Sequence, residues 1–190
     1  MTDSRTSGAL SRRGLLAAFA ATAVASAPTY SNAFGFLRGA GDIRRLKMYN
    51  GRTGEKLDTI YWIEGDYIKD AKVEIDHFFR DWRRNEVKAV DFRTLDIMAA
   101  SHNLLECNEP YMLLSGYRSP ATNAMLASRS GGVASKSLHM KAQAADLRLD
   151  TRSVNQIAKA AQACRAGGVG KYYGSNFVHM DCGSVRTWGG

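Results

Sequence analysis

The run Ser137-Leu138-His139-Met140-Lys141-Ala142-Gln143-Ala144-Ala145-Asp146-Leu147-Arg148-Leu149 joins a polar loop carrying one histidine to a β-prone stretch carrying one aspartate. A loop that feeds straight into a strand can bring His139 and Asp146, seven positions apart, to a single point. Phe177 to Cys182 is a second β-prone run, and within it His179 and Asp181 are two apart, so a pleated backbone turns both side chains to one face. A catalytic zinc site takes three imidazole or carboxylate donors and leaves the fourth position to water. Spacing alone also fits loop or core histidines whose hydrogen bonds are satisfied within the protein.

Working outward, Tyr111 to Leu114, Ala144 to Leu149, Val169 to Tyr173 and Phe177 to Cys182 read as short strands separated by Gly and Ser. Ser119-Pro120 is an N-cap followed by proline at the first helical position, and it opens a helix to about Ser128. Asp150 or Thr151 caps another helix, which runs to about Arg165 and stops at Gly167-Gly168. Towards the N-terminus, Arg44 to Tyr49 and Leu57 to Ile63 flank Asn50-Gly51-Arg52-Thr53-Gly54, which predicts a β-hairpin. Ile68, Ala71, Ile75, Phe78, Phe79 and Trp82 form an apolar stripe at helical spacing over Tyr67 to Arg84, and Phe92 to Leu105 gives a second amphipathic helix. The pattern is that of an α+β domain with a small, mainly antiparallel sheet flanked by helices.

The Ser137–Asp146 run resembles the S-x-H-x-x-G-x-A-x-D signature of the zinc D-alanyl-D-alanine carboxypeptidase and VanX family, matching it at four of five fixed positions. Ser115-Gly116-Tyr117-Arg118-Ser119 is similar to the S-G-Y-R-S segment of the same family. Ser175 to Asp181 and the terminal Val185-Arg186-Thr187-Trp188 resemble a narrower branch, the periplasmic murein endopeptidases of the MepK type. The likeness runs from about Ile43 to Trp188 and implies a Hedgehog/D-Ala-D-Ala peptidase-like fold. It also implies one zinc ion on His139, Asp146 and His179, Arg118 as an oxyanion or carboxylate partner of the substrate, and Ser137 as a substrate hydrogen bond or a turn-stabilising hydroxyl. Two positions depart from the pattern: Ala142 stands where the family has glycine, and Asn176 stands where the wider family places an acidic base. That leaves Asp181 either as the catalytic carboxylate or as a group that orients His179. His77 and His102 fall on predicted helices outside these motifs and are expected to be packing or surface residues.

The first 33 of the 190 residues read as a twin-arginine export signal: Ser11-Arg12-Arg13-Gly14-Leu15-Leu16 leads into the Ala-rich run Ala17 to Ala27, with Ser31-Asn32-Ala33 as the cleavage site. Residues 34–190 then form one zinc peptidase domain in the periplasm, and no later segment is apolar enough to span a membrane. The formal net charge of +8 suits an acidic polymer such as the stem peptides of peptidoglycan. It would suit nucleic acid too, but an exported chain without a basic-aromatic stacking pattern meets little of it. Of the three cysteines, Cys107 and Cys164 are a possible bridge and Cys182 a small buried residue near the site. The expected activity is cleavage of peptidoglycan cross-links by zinc-activated water. A D-Ala-D-Ala carboxypeptidase and a non-catalytic zinc-containing wall-binding module are the alternatives.

Overall fold

Asn50 builds the first corner of the chain, because its Oδ1 accepts from the amides of Arg52 (2.9 Å) and Thr53 (3.3 Å) while its carbonyl accepts from Gly54. Gly54 takes φ +75°, a conformation that side chains avoid. The corner joins β1 (Ile43–Asn50) to β2 (Lys56–Ile63) in the antiparallel hairpin expected from sequence. These details come from a computed structural model that describes residues 41–130 and 132–189. The twin-arginine segment and its cleavage site lie outside the described residues.

Among the described residues six further strands follow: β3 (Asp66–Tyr67), β4 (Tyr111–Ser115), β5 (Ala144–Arg148), β6 (Gly168–Tyr172), β7 (Phe177–Asp181) and β8 (Arg186–Trp188). They form one sheet in the order β3-β2-β1-β4-β5-β7-β6-β8, in which β1/β4 and β6/β8 are parallel and the other pairs antiparallel. The sheet is therefore mainly antiparallel, as expected, but eight strands make it larger than the small sheet the sequence suggests. The additions are β3 and β8, two and three residues long, too short to carry a period-2 signal.

Among the described residues four α-helices accompany the sheet: α1 (Lys69–Phe78), α2 (Phe92–Leu104), α3 (Pro120–Arg129) and α4 (Val154–Ala163). Alternation along β5 and β7 puts Ala145, Leu147, Val178 and Met180 into the core with Leu95, Met98, Ile157 and Ala161 of α2 and α4. Asp146, His179 and Asp181 consequently point to the other face of the sheet. Helices α1, α2 and α4 supply the apolar wall that fixes the strands, and the polar chemistry sits on the strand face turned away from it.

Three helix ends differ from expectation. The first helix stops at Phe78, well short of Arg84, because Asp81 is buried with its Oδ2 on the amide (3.0 Å) and hydroxyl (2.7 Å) of Ser119, and its own amide donates to Glu86 O. The fourth helix is capped by Ser153, in a reciprocal capping box with Gln156, while the amides of Asp150 and Thr151 donate to Glu109. It ends on Arg165 in the left-handed region (φ +50°), before the glycines are reached. The Cys107–Cys164 bridge is not formed: all three cysteines are free thiols, with Cys164 and Cys182 buried.

Asp91 links the core to the loop that carries His139. It caps α2 by accepting from the Arg93 amide (3.0 Å), it accepts from Gln143 Nε2 (3.0 Å), and its amide donates to Ala142 O (3.0 Å). Hydrogen bonding to the Arg93 side chain outweighs burial and pulls the Asp91 carboxyl down to about 2. Because the folded value lies below the unfolded one, this contribution is complete above about pH 4 and is lost as pH falls towards 2. Asp91→Ala is expected to lower the unfolding free energy by about 1–2 kcal/mol at neutral pH, with the difference from wild type shrinking in acid. Urea unfolding of both proteins from about pH 6 to pH 2 checks it.

Candidate metal centre

Ser137 opens the loop as the N-cap of a single 3-10 turn, Leu138–Lys141, with its Oγ accepting from the His139 amide at 3.3 Å. Ala142 closes that turn in the left-handed region at φ 53°, ψ 39°. This is the position where the sequence departs from the resembled signature, and the departure does place a Cβ on a backbone that favours glycine. Left-handed strain costs about 1 kcal/mol or slightly more. The Ala142 methyl is buried in the core, which returns about 0.8 kcal/mol. The two effects nearly cancel, so Ala142→Gly is expected to shift stability by less than about 0.5 kcal/mol, as thermal unfolding would show.

With the loop reversed, His139 turns back towards Asp146 on β5, which pairs directly with His179 on β7. Three atoms converge: His139 Nε2 is 3.2 Å from Asp146 Oδ1 and 3.2 Å from His179 Nδ1, and His179 Nδ1 is 2.9 Å from Asp146 Oδ1. All three residues are buried or nearly so, with His179 9% exposed. The outward atoms are engaged as well. His139 Nδ1 donates to the Gly116 carbonyl at 2.7 Å, His179 Nε2 is 3.0 Å from Asp181 Oδ2, and Asp146 Oδ2 accepts from Arg118.

Those outer partners decide what the inner atoms are. An imidazole that donates from one nitrogen presents a lone pair at the other, so the centre holds two nitrogen lone pairs and a carboxylate oxygen facing one another. Three acceptors at 2.9–3.2 Å repel unless a cation or a proton lies between them. The charge states reflect this. Burial lowers the His139 pKa against the pull of Asp146, whereas for His179 the carboxylates of Asp146 and Asp181 outweigh burial and raise it to about 9. Asp146 is held well below the carboxylate range, its burial outweighed by His139 and His179. The donor set, two histidines and one carboxylate, is that of a catalytic zinc site, and the arrangement fits such an ion.

The other residues singled out in the sequence fall in different places. Arg118 is at the centre, its Nε donating to Ser115 Oγ at 2.7 Å and its Nη2 to Asp146, which leaves Nη1 for another acceptor. Ser137 caps the loop. Asp181 shares the strand face with His179 but does not reach the focus: it is fully buried, and both its oxygens are occupied. Oδ1 accepts from Gly168 N (3.2 Å), Gly183 N (2.8 Å) and Arg186 Nη1 (3.0 Å), and Oδ2 from Arg186 Nη2 (2.7 Å). Asn176 occupies a left-handed turn (φ +50°) ahead of β7. His77 is exposed on α1, and His102 Nε2 lies 2.6 Å from Glu109 O at the end of α2. Neither joins the centre.

Arg186 and Trp188 are the residues to which sequence reasoning gave no role. Both stand on β8, over Gly168 and Gly170 of β6. A Cβ at Gly168 would lie 2.4 Å from the Arg186 guanidinium, and one at Gly170 would lie 2.5 Å from the Trp188 indole. The bare backbone lets both side chains approach β6 closely, and the Trp188 ring stands 5.3 Å from the His179 imidazole centroid, tilted against it by 54°. Val185-Arg186-Thr187-Trp188 was visible as a motif, but its target was not.

Comparison with known proteins gives a consistent picture. The family described as "Peptidoglycan L,D-endopeptidase MepK" matches residues 38–188. Peptidoglycan L,D-endopeptidase MepK of Escherichia coli K12 is 43% identical over 145 residues, which is 76% of this chain and 80% of the relative. Its counterpart in Shigella flexneri gives the same identity and coverage. The probable peptidoglycan L,D-endopeptidase MepK of Haemophilus influenzae Rd is 36% identical over 148 residues, 77% of this chain and 80% of the relative.

Proposed function

The chain belongs to the peptidoglycan L,D-endopeptidase MepK family, and from that premise we propose that it hydrolyses peptidoglycan cross-links between an L- and a D-centre, using a zinc ion held by His139, Asp146 and His179. In this reading the bond is the direct diaminopimelate–diaminopimelate cross-link rather than the D-alanyl–diaminopimelate one. The observation that carries the reading is the convergence of three acceptor atoms, each fixed from behind by a partner of its own. A zinc ion bound there supplies Lewis acidity, polarising an amide carbonyl and bringing the pKa of water towards ~7.

The protein's own groups do the rest. Gly116 O and Asp181 hold the two imidazoles in the tautomers that face inward. Arg118 Nη1 meets the oxygen on which charge develops as the amide carbonyl is attacked, while its other nitrogens keep Asp146 and Ser115 in place. Asp181 acts as a positioning residue rather than as a proton acceptor, since neither of its oxygens is free. Ser137 shapes the loop. In this reading residues 34–190 are the zinc peptidase domain, kin in fold to D-Ala-D-Ala peptidases and Hedgehog domains, and the twin-arginine segment delivers it to the periplasm, where the acidic wall attracts a basic protein.

The test is digestion of purified cross-linked peptidoglycan by the zinc-loaded protein, with products resolved by mass. Directly linked dimers becoming monomers is the expected result. Zinc and peptidoglycan both bound but no product released would overturn the enzyme reading in favour of a wall-binding module, and release of terminal D-alanine alone would make the protein a carboxypeptidase.

A further inference from the structure

The turn that carries Arg83 is tied to the loop that carries Arg118, one of the residues at the metal centre. The turn after α1 is docked on the loop that carries Arg118. Tyr117 N donates to Phe79 O at 2.8 Å, and Gly116 packs so closely that a Cβ would lie 2.6 Å from that same oxygen. The buried Asp81 carboxylate binds the Ser119 amide on Oδ2 (3.0 Å) and the Arg83 amide on Oδ1 (3.2 Å). One carboxylate thus ties the backbone of Arg83 to the residue that follows Arg118.

The Arg83 side chain is exposed and lies over Trp82, its guanidinium carbon 4.3 Å from the ring centroid. Stacking covers the guanidinium face and leaves the in-plane N–H edge for an acceptor. Among the described residues no carboxylate makes a salt bridge to it. Packing around Arg83 lowers its pKa, the charges of Arg118, Arg52 and Arg129 lower it further, and Asp81 opposes them. Asp81 is already saturated by Ser119 and by backbone. Arg118 is paired with Asp146, whereas Arg83 has no salt-bridge partner of its own among the described residues.

We propose that Arg83, on the turn tied through Asp81 to the Arg118 loop, is the receptor for a free carboxylate of the peptide substrate, and so sets which residue of an acidic stem peptide lies across the metal centre. A planar carboxylate matches the guanidinium edge bidentately, which a sugar hydroxyl does not. The inference rests on the peptidase reading and extends it to specificity.

The test compares a directly cross-linked muropeptide dimer with the same dimer whose free carboxylates are converted to carboxamides. Wild type is expected to prefer the acid form by about tenfold in kcat/KM, the worth of one charge-assisted hydrogen bond at an exposed edge. In Arg83→Gln that preference falls to about one, through KM rather than kcat, and Arg83→Lys recovers part of it by charge without the bidentate fit. An acid-to-amide ratio unchanged by Arg83→Gln overturns the proposal. If wild type cleaves neither dimer, the peptidase reading has failed, and equilibrium binding of the two dimers to wild type and Arg83→Gln decides about Arg83 alone. Equal acid preference in both proteins sinks it.

Discussion

His139→Ala is expected to lose bound zinc and to lower kcat/KM on cross-linked peptide by at least about a thousandfold, while the protein stays folded. The imidazole supplies one of the three converging atoms, and the other two, Asp146 Oδ1 and His179 Nδ1, lie 2.9 Å apart. Two donors do not define a tetrahedral site. The substitution also leaves the Gly116 carbonyl without its donor and opens a small cavity, which together cost about 2–3 kcal/mol, within what a domain of this size tolerates. Zinc content by atomic absorption, far-ultraviolet circular dichroism and muropeptide analysis by mass separate the two losses. His77→Ala, at an exposed histidine outside the centre, is the control and should retain zinc and activity. A His139→Ala protein that is folded, retains a full equivalent of zinc and still cuts would remove His139 from the ligand set.

What the sequence made legible was local. Asn50 and Gly54 announce the hairpin because the turn chemistry lies within five residues. Ser119-Pro120 announces α3 because cap and first turn are adjacent, and Ser119 does accept from the Thr122 amide. His139 and Asp146 are near in sequence, and a strand pairing brings His179 across from Asp146. What stayed hidden depends on partners far along the chain. The end of α1 is set by Asp81 meeting Ser119, 38 positions away, so the apolar stripe through Trp82 continued past the helix. Ser153 outcompetes Asp150 and Thr151 as a cap because Glu109, over 40 positions back, engages their amides. The saturation of Asp181 could not be read either, since it depends on how β8 lies across two glycines of β6.

That saturation yields the sharpest remaining prediction, because Asp181 had two possible roles and they differ in what excess zinc can restore. If Asp181 were the proton acceptor, Asp181→Asn would abolish turnover at every zinc concentration. As a positioning residue it acts through His179 Nε2, 3.0 Å away, and its loss weakens zinc binding by about 10–100-fold, the usual effect of removing the group behind a metal-bound histidine. Activity should then return substantially as zinc is raised. Asp181→Asn carries a structural cost of its own, since the amide nitrogen meets Arg186 and the Gly168 and Gly183 amides, all donors, in a fully buried site. Breaking such a pair can cost about 3–5 kcal/mol, so a second variant is needed. Arg186 is the suitable one: its side chain is 43% exposed, and it grips both Asp181 oxygens from the surface strand. Arg186→Met should weaken zinc binding in the same direction as Asp181→Asn but by less, with kcat at saturating zinc near wild type and Arg186→Lys in between. Chelator competition reads the affinity, and the visible spectrum of the cobalt-substituted protein reads the geometry at His179. A folded Asp181→Asn protein that binds zinc at wild-type affinity yet turns over nothing would return Asp181 to the chemistry and show that its bond to Arg186 opens during the reaction.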